Sequence, residues 1–142
     1  MLNWLRRLRR RPRSLGRRGE AAAEKFLKRL RYKIVGRSQR DRLGELDLIA
    51  VDLRGERGKT VVFVEVKTRS SHDSGHPAEA VDGAKQQRVT KVALGYLRRH
   101  GLLHYPTRFD VVAVTWPKAA RKPQIEHFKN AFEPPGAGQM FN

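Results

Sequence analysis

The chain has 142 residues, the size of one ordinary domain, and its 31 Lys and Arg against 14 Asp and Glu give a net charge of +17. So large a surplus predicts a polyanionic partner, either nucleic acid or an anionic membrane surface. No stretch approaches the roughly 18 apolar residues that a membrane-spanning helix needs, so we expect no membrane span.

The absence of cysteine excludes disulfides, thiolate nucleophiles and cysteine-based zinc sites. Any metal would then be held by oxygen or histidine, which favours a hard cation such as magnesium. At the N-terminus, Arg6 and Arg7 directly follow Trp4-Leu5, so the uninterrupted apolar segment of a secretory signal is lacking. We therefore expect a cytoplasmic protein.

The chain begins with a basic arm, because residues 1–18 carry eight arginines and no acid. This pattern is compatible with a short amphipathic helix on nucleic acid or on a membrane surface, and equally with a solvated tail. We place the arm at residues 1–15, one folded domain at 16–130 and a flexible tail at 131–142.

A first helix is predicted from about residue 15 to residue 31, since apolar residues recur at the spacing of one buried stripe, namely Ala23, Phe26, Leu27 and Leu30. Glu20 falls on the same stripe, near the start of the helix. An inward carboxylate without a partner is costly, so we expect Glu20 to have either an ionic partner or a function.

Three strands follow, at residues 32–35, 45–51 and 60–67, and the last two are joined as a hairpin by a charged, glycine-containing turn. The third strand is apolar on both faces until its end, as expected of a central strand that is covered on each side. A covered sheet predicts an α/β architecture.

A second helix is predicted at about residues 82–100, with Val89, Val92, Ala93, Tyr96 and Leu97 inward and Gly101 as the stop signal. A further strand is expected at 109–115, and residues 124–128 are compatible with a short edge strand. The predicted order is helix, three strands, helix and one or two strands.

The residues that carry chemistry lie at one end of the hairpin. Residues two apart in a strand face the same way, so Glu65 and Lys67 emerge together from the end of an apolar strand. Glu45 and Asp47 share a face of the preceding strand by the same rule, and the hairpin brings Asp47 close to Glu65. We therefore expect two carboxylates to converge.

Such a pair repels itself unless a cation lies between the oxygens, as magnesium does when carboxylates, waters and substrate phosphates hold it. The ion would activate a water and neutralise charge that develops on a phosphate. Lys67 is placed to orient or deprotonate that water or to stabilise the transition state, and the sequence does not decide between these roles. Glu20 would complete the acidic cluster.

Several motifs together resemble the YraN family: Gly19-Glu20, Gly44-Glu45-Leu46-Asp47-Leu48-Ile49, Phe63-Val64-Glu65-Val66-Lys67-Thr68-Arg69, Lys85 and Arg108-Phe109-Asp110-Val111-Val112. That family is similar to the PD-(D/E)xK, or restriction-endonuclease-like, nucleases and, within them, to the archaeal Holliday junction resolvases. The resemblance covers residues 16–115.

The resemblance implies a restriction-endonuclease-like core in which helices flank a mixed central sheet in the order αβββαβ. It also implies nuclease activity on nucleic acid that depends on Mg²⁺ or Mn²⁺, with branched or otherwise structured DNA as the expected substrate. The sequence itself does not distinguish DNA from RNA. Asp47, Glu65 and Lys67 stand in the places of the superfamily's catalytic residues, and Glu20 matches the helix-borne acid of resolvase-like members. The metal ligands would be Asp47, Glu65 and Glu20.

Leu46 stands where the superfamily has a proline before the aspartate.

Four basic residues are expected to bind substrate, namely Lys85, Arg69, Arg88 and Arg18. Resolvase-like relatives often act as dimers, so a homodimer is a further expectation.

Simpler structural roles compete with these assignments. Glu65 and Lys67 would otherwise form a solvent-facing ion pair, Glu45 would pair with an arginine, and Lys85 would be a solvated helix charge. A metal role for His72 and His76 is disfavoured, because their segment has the composition of a loop. We interpret His100, His104 and His127 as surface residues.

Two other functional classes compete with the nuclease. The first is a non-catalytic nucleic-acid-binding module that has retained the nuclease fold, which the basic composition suits equally well. The second is a peripheral membrane protein anchored by its arm, which leaves the acidic residues unexplained.

Overall fold

A computed structural model describes residues 14–71 and 81–133, in which two helices and five strands follow one another. The elements are α1 (Leu15–Arg29), β1 (Lys33–Asp41), β2 (Gly44–Gly55), β3 (Gly58–Arg69), α2 (Gly83–Arg99), β4 (Thr107–Thr115) and β5 (Gln124–Phe128). The predicted order is confirmed, and the short fifth strand is present. Most of the basic arm, both loop histidines and most of the predicted tail lie outside the described residues.

The strands form one mixed sheet in the order β1-β2-β3-β4-β5. Neighbouring strands are antiparallel except β3 and β4, which run parallel and are connected through α2. β3 therefore lies at the centre of the sheet, and its residues 60–64 are buried, as the apolar run predicted. No helix in the described ranges is long and apolar enough to cross a membrane.

α1 covers one face of the sheet. Its first turn is capped by Ser14, whose hydroxyl accepts a hydrogen bond from the Arg17 N–H at 3.3 Å. Ala23 and Leu27, two residues of the predicted stripe, are fully buried against side chains of β2, β3 and β4. The prediction is wrong for Leu30, which is 45% exposed because the helix ends at Arg29. Arg31 has a positive φ of 71° just after the helix, where the chain turns into β1.

α2 covers the opposite face of the sheet. The Asp82 carboxylate caps the helix by accepting from the Lys85 N–H at 2.9 Å. All five residues of the predicted inward stripe are buried, in a cluster with Leu46, Ile49, Phe63 and Phe109. Gly101 follows the helix with a φ of 65°, which confirms it as the stop signal.

β1 is longer than predicted. It extends through the polar residues 37–41, which pair with residues 44–48 of β2 and are mostly exposed. An edge strand is held by backbone hydrogen bonds on one side and needs few apolar side chains, so hydrophobic periodicity misses this half of it.

A buried ionic cluster lies on the α1 face of the sheet. Arg108 donates to Asp110 at 2.8 and 3.0 Å, to Asp52 at 3.1 Å and to the Tyr32 hydroxyl at 2.8 Å. His127 Nε2 lies 2.7 Å from Asp110 Oδ2. We refer to these five residues as the Arg108 cluster.

The interpretation of His127 as a surface residue is wrong, since its side chain is 7 % exposed. The edge strand β5 pairs His127 with Val112 of β4, and its ring packs edge-on against Phe26 and Tyr32. A partner on another strand, rather than a sequence neighbour, buries this histidine.

Candidate functional site

The hairpin opens where the predicted site residues lie. The last paired residues are Leu48 and Val64, so Asp47 and Glu65 are the next to face each other. Asp47 does not continue the ladder; its Oδ2 accepts the Val66 N–H at 2.8 Å. A carboxylate thus replaces a backbone partner between the two strands.

Asp47 lies between the two faces of the sheet. Leu46 packs in the cluster beneath α2, whereas Leu48 packs in the cluster beneath α1, so the alternation of side chains breaks at this point. Asp47 accordingly lines a cavity on each face. Groups on both helices can therefore act on one carboxylate.

The cavity on the α2 face has a volume of about 220 Å³ and contains Glu45, Glu65, Lys85 and Arg88 beside Asp47. The Glu65 side chain is only 16 % exposed, and its Oε1 forms an ion pair with Lys85 Nζ. Lys85 thus faces the site and is not a freely solvated helix charge. Within the described part of the chain it is in direct contact with Glu65.

The cavity on the α1 face has a volume of about 430 Å³, and Glu20 lines it together with Asp47. α1 packs so closely on β3 here that a Cβ at Gly19 would lie 1.9 Å from the Thr68 hydroxyl oxygen. Only glycine fits against Thr68 in this arrangement. The small residue of the Gly19-Glu20 motif therefore lets the acidic one reach the cavity.

The electrostatics of the site favour a bound cation. Burial raises the pKa of Asp47 to about 7, with the charges of Glu65 and Glu20 adding to the increase, although the hydrogen bond from the Val66 amide opposes it. The pKa of Glu20 is also raised, by burial and then by the nearby charge of Glu45. The positive charge near these two carboxylates is too small to offset their burial and mutual repulsion, so their ionised forms are destabilised.

The donor set fits a magnesium-type ion only in a limited sense. No group of three His, Asp or Glu residues within ranges 14–71 and 81–133 is arranged to hold a metal. Glu20 thus reaches Asp47 as a charge across a cavity, and it is Asp47 and Glu65 that converge. One or two carboxylates suffice for Mg²⁺ when waters and substrate phosphates complete the shell.

The remaining predicted site residues divide into two groups. Arg88 lines the 220 Å³ cavity, and Lys67 is exposed two residues beyond Glu65 on β3. In contrast, Arg69 is buried and donates to Thr115 Oγ1 at 3.1 Å. The Arg18 guanidinium lies 4.1 Å above the Trp116 ring. The structure does not bring Arg69 and Arg18 into the acidic cavities.

Two contacts of the site were not found by sequence reasoning. The first is the Val66 amide, since nothing in an apolar strand marks one N–H as the partner of a side chain. The second is Arg40 as the partner of Glu45, at 3.1 Å, although pairing of Glu45 with an arginine was one of its two expected roles. The unpredicted half of β1 supplies this arginine.

The sequence is similar to proteins of one family. The model of a family described as "Uncharacterised protein family UPF0102" matches residues 19–114. The chain is 47% identical over 128 residues to a UPF0102 protein of Rhodopirellula baltica, covering 89% of this chain and 75% of that protein. It is 50% identical over 119 residues to one of Geobacter sulfurreducens, covering 84% and 88% respectively. All the motifs of the site lie within the matched range.

Proposed function

The chain belongs to the UPF0102 family, and we propose that it is a metal-dependent nuclease that hydrolyses phosphodiester bonds of nucleic acid, with DNA as its substrate. The convergence of Asp47 and Glu65 at the opening between β2 and β3 carries this proposal. The five-stranded mixed sheet with a helix on each face is compatible with a restriction-endonuclease-like core.

Asp47 and Glu65 are the residues that would hold Mg²⁺ or Mn²⁺. The bound ion supplies positive charge to the scissile phosphate and lowers the pKa of a water for in-line attack. The Val66 N–H fixes the orientation of the Asp47 carboxylate, leaving its other oxygen for the ion. Glu20 adds negative charge from the α1 side of the sheet.

Two lysines have separate roles in this proposal. Lys85 forms an ion pair with Glu65, and its ammonium would be available to a phosphate oxygen if Glu65 held a metal ion. Lys67 extends from the exposed end of β3, where it can reach the attacking water or the phosphate. The net charge of +17 attracts the polyanionic substrate to the surface.

The Lys85–Glu65 ion pair also favours a second candidate function. A protein that only binds nucleic acid would benefit from an internal cation that masks an acid near the phosphates. Two isolated acids would otherwise repel the backbone. The raised pKa of Asp47 favours the nuclease, because Lys85 pairs with Glu65 and leaves the Asp47 charge unmasked. Perturbed carboxylates of this kind are concentrated at functional sites.

The test is cleavage of single-stranded, flapped, branched and duplex DNA in Mg²⁺ or Mn²⁺. Asp47→Asn and Glu65→Gln are each expected to lower the rate about a hundredfold or more, because each removes a ligand charge that acts in the transition state. Glu56→Gln is the matched control, since it makes the same chemical change in the exposed β2–β3 turn.

DNA binding by all three variants is measured in EDTA by fluorescence anisotropy. Retained binding with lost cleavage in the two site variants supports the nuclease. Tight binding by the unaltered protein without cleavage of any substrate, in either metal, would replace it with the binding module.

A further inference from the structure

A groove separate from the acidic site opens on the α2 face of the sheet. α2 ends at Arg99 and leaves the neighbouring parts of β1, β2 and β3 uncovered. The groove has a volume of about 420 Å³, and its lining includes Lys33, Val35, Leu53, Lys59, Val61 and Tyr105. It lies within the size range of small-molecule sites.

The groove and the catalytic pair share one face of the sheet. Val61 lines the groove and Glu65 lines the acidic cavity, and both lie on the α2 side of β3 because they are four residues apart. At about 3.3 Å per residue the separation along the strand is about 13 Å. The two sites lie at opposite ends of α2, which packs on the buried Phe63 between them.

The lining combines an apolar floor with cations. Val35 and Leu53 are 40% and 49% exposed, and both belong to this lining. The ring of Tyr105 is half-buried, and that of His100 stacks on Tyr96 at 4.2 Å between centroids. Lys33 and Lys59 are the charged members of the lining, and no carboxylate is among the described residues that form it.

We propose that this groove binds an unpaired nucleotide of the substrate, with the base on the apolar floor beside Tyr105 and the phosphate at Lys33 and Lys59. Bases stack on aromatic rings whatever their sequence, and lysine is a general partner for phosphate. The assignment rests on the proposed function, since it treats the groove as part of the same substrate path. It names the substrate class as DNA with a single-stranded segment.

The positive charge of Lys33 and Lys59 favours a nucleotide over the other possible occupant, a second copy of the chain. A two-fold interface centred on the groove would bring like-charged Lys33 and Lys59 side chains of the two copies together, in a protein of net charge +17. A phosphate removes that repulsion.

The experiment is a titration of ¹⁵N-labelled protein with AMP, adenosine and inorganic phosphate in EDTA, followed by NMR. AMP is expected to shift the amides of Leu53, Lys59 and Tyr105 in a saturable manner. Adenosine and phosphate are each expected to bind several-fold more weakly than AMP, because each occupies only half of the groove.

Leu53→Asp tests the site directly, since the side chain is half exposed and its replacement leaves the core intact. The variant is expected to abolish the AMP shifts and to weaken binding of a single-stranded oligonucleotide about tenfold, the scale of one stacked base. Leu30→Asp is the matched control, because Leu30 is 45% exposed at the end of α1 and makes the same charge change outside the groove.

AMP shifts that are absent or non-saturable, or that persist in Leu53→Asp, would overturn the proposal. Shifts at these amides that follow protein concentration without AMP, with a doubled mass in solution, would assign the groove to a second copy instead. Neither the metal nor cleavage enters this titration. A groove that binds AMP in a protein that cuts nothing would therefore refute only the nuclease, and a nuclease with an inert groove would refute only this inference.

Discussion

The sheet contains two groups of buried carboxylates that are in opposite electrostatic states. In the Arg108 cluster, burial alone would raise the pKa of Asp110, but hydrogen bonds from His127, Arg108 and the Asn130 amide lower it overall. At the hairpin opening, burial and neighbouring acids raise the pKa of Asp47 to about 7. The first group is compensated by cations and donors within the described part of the chain, whereas the pKa of Asp47 stays raised despite the nearby Lys85–Glu65 ion pair.

The two groups should therefore respond oppositely to pH. The lowered pKa of Asp110 means that its stabilising ionised form is lost as the pH falls through the acidic range. The raised pKa of Asp47 means that the unfolded chain releases this proton first, so stability falls as the pH rises from about 4 to about 7. The direction in which stability changes with pH therefore distinguishes Asp110, whose ionised form stabilises the fold, from Asp47, whose ionised form destabilises it.

The largest expected effect comes from removing the cation of the compensated group. Arg108→Met should lower the free energy of unfolding by about 3–5 kcal/mol, because Asp52 and Asp110 would remain buried without their partner. Urea denaturation at neutral pH measures the change. Arg57→Met, in the exposed β2–β3 turn, should stay within about 0.5 kcal/mol of the unaltered protein. Similar losses in both variants would mean that the cluster is not a stabilising unit.

A smaller effect of opposite sign is expected at the hairpin opening. Asp47→Asn in EDTA should raise the free energy of unfolding by about 2 kcal/mol at pH 8, because it removes a destabilised ionised carboxylate. At pH 4 the gain should vanish, since the native carboxyl is then protonated. Urea denaturation across this pH range measures both values. A gain that does not depend on pH would contradict the assigned pKa.

The next effect concerns the metal. Lys85→Met should strengthen Mn²⁺ binding about fivefold, because the ammonium no longer competes for Glu65, and the partial exposure of the pair keeps the effect modest. Calorimetry or electron paramagnetic resonance of Mn²⁺ measures the affinity. Lys91→Met, on the exposed side of α2, should leave it unchanged. Weaker Mn²⁺ binding in Lys85→Met alone would show that the lysine supports the ligand instead of competing for it.

The smallest expected difference ranks the two neighbours of Asp47. Glu65→Gln should lower the pKa of Asp47 more than Glu20→Gln does, since the charge of Glu65 has the larger influence and that of Glu20 acts across a cavity. Carbon-detected NMR titration of the Asp47 carboxyl in EDTA measures both shifts. The reverse order would place Glu20 nearer to Asp47 than the structure does.

The parts of the fold that depend on local pattern could be predicted from the sequence. The inward stripe of α2 follows from helical spacing, and the facing of Asp47 and Glu65 follows from one hairpin register. The approach of α1 to that site was expected from a single polar residue, Glu20, on an apolar stripe.

Features that depend on distant partners could not be predicted in the same way. Arg108 meets Asp52 and Tyr32 only after β4 has joined β3 in the sheet, 56 and 76 residues away along the chain. Arg69 reads as a substrate-binding cation from its place after Lys67, yet its strand ends beside Thr115, which holds the guanidinium. In each case a contact made by folding decided the role of a charged side chain.

The hydrogen bond from the Val66 amide to Asp47 imposes a requirement that is independent of catalysis. The opened hairpin gives this partly buried amide no carbonyl of β2, so residue 47 must bring its own acceptor. An alanine at position 47 would leave the Val66 amide without this acceptor, and the end of β3 that carries Glu65 would be held less firmly. A loss of activity in Asp47→Ala would therefore combine two effects, the loss of the proposed metal ligand and a less rigid strand end. Asparagine keeps the hydrogen bond from the Val66 amide and removes only the charge.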